Sequence, residues 1–567
     1  MQIRGTPAKH RPETMPETGG LPRKVIAIAA GEAHTLALTG DGNVYSWGRG
    51  TFGRLGNGSE LDQLFPVKIE FNLTDKRDRV KIVGISAGAY HSLALADDGS
   101  VWSWGYNSYG QLGDDGENSF FPCLVKLPMT DGSVTKNETA PKIFSVKAGG
   151  MMSLAINDRG SLWMWGNCPV QEASSEGGFS LAPTSTPISI WNFHGHTVVK
   201  VACGSEHIVT LVSAGEKREG GNLVCYTWGN NNHGQLGLGD TEMRPNPQMV
   251  EKFNTGSPWA AYEVACGAFH TCVLAYRKTE SVALESVCWT FGRGDNGQLG
   301  LGTTRKSLYP EMVQGLPENS FLLSVDCGLF HTSLVSSSGN VWSWGMENGL
   351  GLCPEATFTE SDGGDVLTPR LINEVFGAKF PEPVQVTCGA AHTVLLADSG
   401  YKLWSWGRGR NGVLGNGQEI DFFAPKVVLW PPPDEEGPEI VANEVSVERD
   451  PEETTENEKK LSAVMQEMNH LQSKLSIMER YASILHGSIF GKPFEDDRDI
   501  PVSLWNSGTF EIAKEWENML ESCDRGKLIR LQMFYQNMLA GVEDKMMKQR
   551  IKEMIKEYLE SSASTTH

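Results

Sequence analysis

Residues 29–56 read AAGEAHTLALTGDGNVYSWGRGTFGRLG, and versions of this stretch return six more times before residue 430. Its first half, small-Gly-x-x-His-Ser/Thr-x-x-Leu, recurs with variation as SAGAYHSLAL, KAGGMMSLAI, ACGSEHIVTL, ACGAFHTCVL, DCGLFHTSLV and TCGAAHTVLL. The motif glycines are Gly31, Gly88, Gly149, Gly204, Gly267, Gly328 and Gly389, with gaps of 57, 61, 55, 63, 61 and 61 residues. Each copy is followed by aromatic-x-aromatic-Gly, ending at Gly48, Gly105, Gly166, Gly229, Gly292, Gly345 and Gly407, and most continue into Gly-x-Leu-Gly. Self-similarity of this kind marks a repeat architecture.

The physics of one unit is legible. Side chains alternate along a strand, so aromatic-x-aromatic puts both rings on one face. The His-Ser/Thr-x-x-Leu run is β-prone, and turns such as Asp41-Gly42 and Asp98-Gly99 separate the two segments as in a hairpin. Each unit therefore predicts a small antiparallel sheet of about four strands, which cannot bury both faces alone. Radial stacking buries them between neighbours, so the fold class expected for residues 25–430 is all-β, a seven-bladed β-propeller. The 63 Gly and 16 Trp fit tight turns between aromatic strands.

The Gly-x-x-His-Thr, Trp-Gly and Gly-Gln-Leu-Gly elements, in this order, resemble the repeat of the regulator of chromosome condensation family, over residues 25–430. The resemblance implies a seven-bladed propeller, here with a C-terminal helical tail in the manner of plant members. It implies two activities to test, nucleotide exchange on a small GTPase and chromatin binding. Ultraviolet-B-sensing members of that family carry Trp directly after the motif Gly in several blades. This chain has Glu32, Ala89, Gly150, Ser205, Ala268, Leu329 and Ala390 there, so light sensing of that type is not expected.

Candidate chemistry is sparse. Six units carry the motif His: His34, His91, His207, His270, His331 and His392, while the third has Met152. A unique reaction centre needs no six copies, so these histidines, with Gly31, Gly88 and the tryptophans Trp47, Trp104, Trp165, Trp228, Trp344 and Trp406, are read as frame, each His tying its own blade. Cys203, Cys266, Cys327 and Cys388 alternate with Ala30, Ala87 and Ala148 before the motif Gly, which marks a small packed position. There is no Cys-x-x-Cys pair, so no metal is expected, and the Gly-rich loops lack the Lys-Ser/Thr ending of a phosphate loop, so no cofactor is expected either. No nucleophile–base set stands out, and no catalytic residue is assigned. The Arg293-Gly294-Asp295 tripeptide reads as accidental.

The residue after each aromatic-Gly pair is Arg49, Tyr106, Asn167, Asn230, Arg293, Met346 or Arg408. Equivalent positions of a propeller lie on one ring, so Arg49 and Arg408 should meet where blades seven and one close. Arg54 and Arg410 belong to the same loops. Together with Arg293, they form the candidate binding set, a local basic patch suited to an acidic segment or phosphate. Further contact regions are the long connection of the third unit, 167–196, and the acidic loop of the sixth, 355–365.

The net charge is −20; from Pro431 onward 27 Asp+Glu face 16 Lys+Arg, a net of −11, which leaves −9 for residues 1–430. Neither part has the basic excess that phosphate neutralisation requires, so direct nucleic-acid binding is not expected and protein partners are, among them a small GTPase or a basic protein such as a histone. Residues 1–24 hold no apolar run and are expected to be flexible, and no stretch is long and apolar enough for a bilayer; location inside the cell, in cytoplasm or nucleus, follows as an expectation. Residues 431–458 read as an acidic disordered linker. Leu461, Val464, Met468, Leu471, Leu475, Met478, Ala482 and Leu485 then step by three and four, which predicts a coiled-coil-like helix over 459–488, able to self-associate through 461–485, and a helical region over 501–560.

Overall fold

The computed structural model describes residues 24–71, 80–127, 142–171, 178–190, 193, 196–214, 222–278, 286–317, 320–346, 364–372 and 379–430. The tail readings at 431–458, 459–488 and 501–560, and the N-terminal one at 1–24 apart from Lys24, lie outside these residues, as does nearly all of the 355–365 loop.

Seven four-stranded antiparallel sheets follow one another along the chain, each built from four consecutive strands. Blade one shows the plan: Val25–Ala30, His34–Thr39, Val44–Gly48 and Gln63–Ile69. The motif His opens the second strand of six blades, and the aromatic-x-aromatic-Gly segment ends the third strand in six; in blade three that strand runs on to Gln171. Those two strands form the hairpin, with His34 opposite Gly48 and Thr35 opposite Trp47. The first strands line the axis around a cavity of about 410 Å³.

The seven-blade expectation holds, and the core sits where stacking demands. Among the described residues there are seven apolar clusters, one at each junction between blades. Trp104 packs with Leu36 and Leu38 of blade one, Trp165 with Leu93 and Leu95 of blade two, and Trp47 with Val394 and Leu396 of blade seven. Trp228, Phe291, Trp344 and Trp406 occupy the remaining four. The six tryptophans are at most 1 % exposed. At roughly 200 Å² per indole and about 25 cal/mol per Å², each burial stabilises its junction by up to about 5 kcal/mol.

The ring is closed without strand exchange. Gln385 of blade seven donates to the Ile28 carbonyl at 3.0 Å and accepts from the Ile28 amide at 3.1 Å. Thr387 accepts from the Ala30 amide at 3.0 Å, and Trp47 donates its indole N–H to the Val413 carbonyl at 3.0 Å. Blade three departs from the sequence reading. Much of its long connection is a β-ribbon, Leu162–Gln171 paired with Phe179–Ile190, and not a loop. The alternation Trp163, Met164, Trp165 simply continues past Gly166 as further strand.

Candidate protein-interaction face

The histidines act between blades and not within one, a correction to the expected own-blade tie. His34 Nε2 meets Ser92 Oγ of the next blade at 2.8 Å, His91 meets Ser153 at 2.9 Å, and His207 meets Thr271 at 3.0 Å. His270 meets Thr332 and His331 meets Thr393, both at 2.9 Å, and His392 closes the ring on Thr35 at 3.3 Å. In four of these junctions the hydroxyl donates onward to a loop carbonyl, of Arg54, Gln111, Gln235 or Gln298. Its hydrogen is thus committed, so it accepts from His Nε2–H, and the imidazole is the neutral Nε2 tautomer. Burial holds the histidines far below their ordinary pKa, to about 3 at His91, His207, His270 and His392 and about 4 at His331.

The motif glycine has a steric cause. A Cβ on Gly31 would sit 2.3 Å from the His34 ring and 2.3 Å from the Gly88 carbonyl oxygen of the next blade. The repeated tryptophans share the same joint. Trp104, Trp165 and Trp344 donate to the carbonyls of Arg54, Gln111 and Gln298, each at 2.9 Å. The middle hydroxyl of the aromatic-x-aromatic segment holds its own Gly-x-Leu-Gly loop, as Ser46 does on the Leu55 carbonyl at 2.7 Å.

This frame brings two side chains per blade to one face of the disc. The amide after each aromatic-Gly pair bonds the carbonyl before the motif His: Arg49 to Ala33, Tyr106 to Tyr90, Asn167 to Met151, Asn230 to Glu206, Arg293 to Phe269, Met346 to Phe330 and Arg408 to Ala391. Arg49, Arg408 and Arg410, all exposed, line one cleft of about 260 Å³ across the closure of blades seven and one, together with Glu32 and Asn411. None of the three arginines makes a salt bridge among the described residues.

Arg54 and Arg293 stand apart from that cleft. Arg54 is 1 % exposed; its Nε donates to the Thr51 carbonyl at 2.9 Å and its Nη1 to Ala89 of the next blade at 3.1 Å. Its guanidinium lies 4.6 Å from the Tyr90 ring, and burial, opposed by nearby Glu32, lowers its pKa to about 10. It is a strut between blades one and two. Arg293 pairs with Asp295 at 2.8 Å and covers the Phe269 and Phe330 rings at 5.5 and 5.1 Å, so the Arg-Gly-Asp tripeptide is engaged with itself.

Sequence reasoning missed an aromatic arc beside the cleft. Phe52, Tyr90, Tyr106 and Tyr109, all half-buried, form a chain of ring contacts, with Phe52 4.8 Å from Tyr106 and Tyr106 6.4 Å from Tyr109. Tyr90 and Tyr106 hold the two positions that every blade sends to this face, a signal available in the repeat. Phe52 has φ +67°, a left-handed conformation that an aromatic residue rarely adopts. Arg, Tyr and Phe together are the side chains that protein interfaces concentrate at their centres.

These features define a closed seven-bladed ring whose loops, not its core, are free to meet other molecules. The RCC1-like domain matches residues 3–273 and 78–447, and the chain belongs to that family. It is 31 % identical over 414 residues to the ultraviolet-B receptor UVR8 of Arabidopsis thaliana, covering 72 % of this chain and 82 % of the receptor. It is 32 % identical over 371 residues to the human E3 ubiquitin-protein ligase HERC2, of which the match spans only 7 %. Among solved structures it is similar to Prp20p of Saccharomyces cerevisiae, described with its binding to Gsp1p and histones. There the TM-score is 0.54 at 24 % identity, over 68 % of this chain and 85 % of that one, a likeness of fold.

Proposed function

We propose that this chain is a non-enzymatic protein-interaction scaffold, and that the Arg49–Arg408–Arg410 cleft with its neighbouring aromatic arc is the docking surface. The observation that carries the reading is three exposed guanidiniums in one cleft, without salt bridges among the described residues, beside half-exposed rings. A carboxylate-rich segment suits it, since Arg takes carboxylates bidentately. The motif histidines are neutral and buried in the frame, which favours binding over acid–base chemistry. The reading places the protein inside the cell, and among the described residues no helix is long and apolar enough to cross a membrane. The tail would recruit or self-associate through 461–485.

The test is affinity capture with the full chain and with Arg49→Glu/Arg408→Glu. A partner lost more than tenfold on charge reversal, with an unchanged melting temperature, supports the reading; an unchanged set of partners removes it. A second reading, guanine-nucleotide exchange on a small GTPase, draws on the likeness to Prp20p, and the −9 charge of residues 1–430 also suits a basic partner such as a histone. Release of labelled GDP from a panel of small GTPases separates the two: no acceleration leaves the scaffold alone.

A further inference from the structure

The junction between blades five and six differs from the other six in one chemical respect. A ring nitrogen of His270 and the sulfurs of Cys272 and Cys327 lie within 4.8 Å of one another, all buried. A third thiol, Cys288, is in hydrogen-bonding contact with Cys272. The other units put Leu36, Leu93, Leu154, Val209, Ser333 or Val394 where this one has Cys272. Among the described residues no other group of three such donors exists.

The imidazole edge nearest the thiols is the one that the frame holds. Its Nε2–H is spent on Thr332, whose own hydrogen goes to the Gln298 carbonyl. Thr332 Oγ1 is in turn 3.9 Å from Cys327 Sγ and in hydrogen-bonding contact with Cys272, so the Nε2 edge of the ring faces the thiols while Nδ1 lies against Gly267. An ion among these atoms takes the Nε2 lone pair in exchange for the Thr332 bond, the ring proton moving to Nδ1. Cys327 also borders the axial cavity.

We propose that His270, Cys272 and Cys327 bind one thiophilic metal ion, of the zinc or copper(I) type. Two thiolates with one imidazole select soft or borderline ions over magnesium or calcium. Each coordinating thiol releases its proton to solvent as its sulfur binds, so uptake by the two sulfurs of the core set frees two protons. The ion would staple the second strand of blade five to the first strand of blade six, adding a coordinate link to a junction otherwise held by packing and hydrogen bonds. No sequence spacing announces such a site, because its ligands come from two blades.

The full chain, reduced and freed of metal, is incubated with zinc(II), or anaerobically with copper(I), then dialysed against a weak chelator, and bound metal is measured. The expected result is one ion per chain in one of the two arms. Cys272→Val and Cys327→Ala, each restoring a residue that other blades use at that place (Val394, Ala87), should lower retention at least tenfold. Cys123→Ser, at an exposed thiol elsewhere, should leave it unchanged. Thr332→Val, which removes the hydroxyl that competes for Nε2, should leave retention equal or higher. Circular dichroism establishes that each variant is folded. Failure of both metals to be retained, or equal retention by folded Cys272→Val and Cys327→Ala, overturns the site.

Discussion

At the scale of single residues, the motif histidine explains most of what repeats. Its ring lies against a glycine of its own blade and its Nε2 reaches the hydroxyl of the next, so Gly, His and Ser/Thr are one device spread over two units. The histidines are neutral in the fold and ordinary, near 6.5, when unfolded. A folded pKa below the unfolded one means that the unfolded chain binds more protons between the two values. Stability is therefore full above about pH 6.5 and is lost as pH falls toward 3–4, by at most roughly 1–2 kcal/mol per histidine between pH 6.5 and 5. The buried Asp326 carboxyl, raised above its usual range by desolvation, works in the opposite sense. Urea midpoints from pH 7.5 to 5 should decline, and His331→Met/Thr393→Ile should flatten the decline by one histidine's share; an unchanged slope contradicts the account. The Gly–His spacing was legible in sequence. The direction of the bond was not, because a period says that units are alike without saying which neighbour each one touches. The inward turn of Arg54 under Tyr90 was hidden for a related reason: its neighbour across the junction belongs to the next unit.

At the scale of elements, the exception tests the rule. Blade three has Met152 in place of His, and blade four has Ile208 in place of the receiving hydroxyl, and both side chains belong to one apolar cluster. One junction has thus exchanged a polar pair for an apolar one at both ends. Met152→His alone would bury an imidazole opposite Ile208, leaving Nε2–H without an acceptor, at a cost of about 1–3 kcal/mol. Met152→His/Ile208→Thr should recover most of that loss. Denaturant unfolding of the two variants decides it, and equal stabilities would mean that the pair is not coupled. The missing histidine could be read from the sequence; its matched Ile208 could have been, had each motif been compared with the following one. The ribbon of blade three was hidden because a strand that outgrows its repeat has no copy to be compared with.

At the scale of the whole molecule, closure involves no shared strand, since every sheet is made of four consecutive strands, and rests on side chains, packing and a backbone bond from the Ala390 amide to the Glu32 carbonyl at 3.1 Å. The seam between blades seven and one is then of the same kind as the other junctions, with a His–Thr bond, an indole N–H on a loop carbonyl and an apolar cluster of its own. Opening the chain elsewhere should therefore be tolerated. A circular permutant of residues 24–430, with the old ends linked and new ends placed between Ile69 and Ile82, should melt within ~3 °C of the unpermuted domain, corresponding to about 2.5 kcal/mol. A much larger drop would show that the natural seam carries a role that the other junctions do not. Seven units and their order were plain from the sequence, while the cleft at the seam required the ring to be closed before Arg49 and Arg408 could be seen as neighbours.

The loop carbonyls give this ring a sense of rotation. Arg54 of blade one receives the indole and hydroxyl of blade two, and Gln111 of blade two receives those of blade three. A molecule that displaced the outer loop of one blade would shift the buried indole of its successor, and the disturbance would travel one way round the circle. Blade three, whose ribbon stands where such a loop would be, is where that relay would run out.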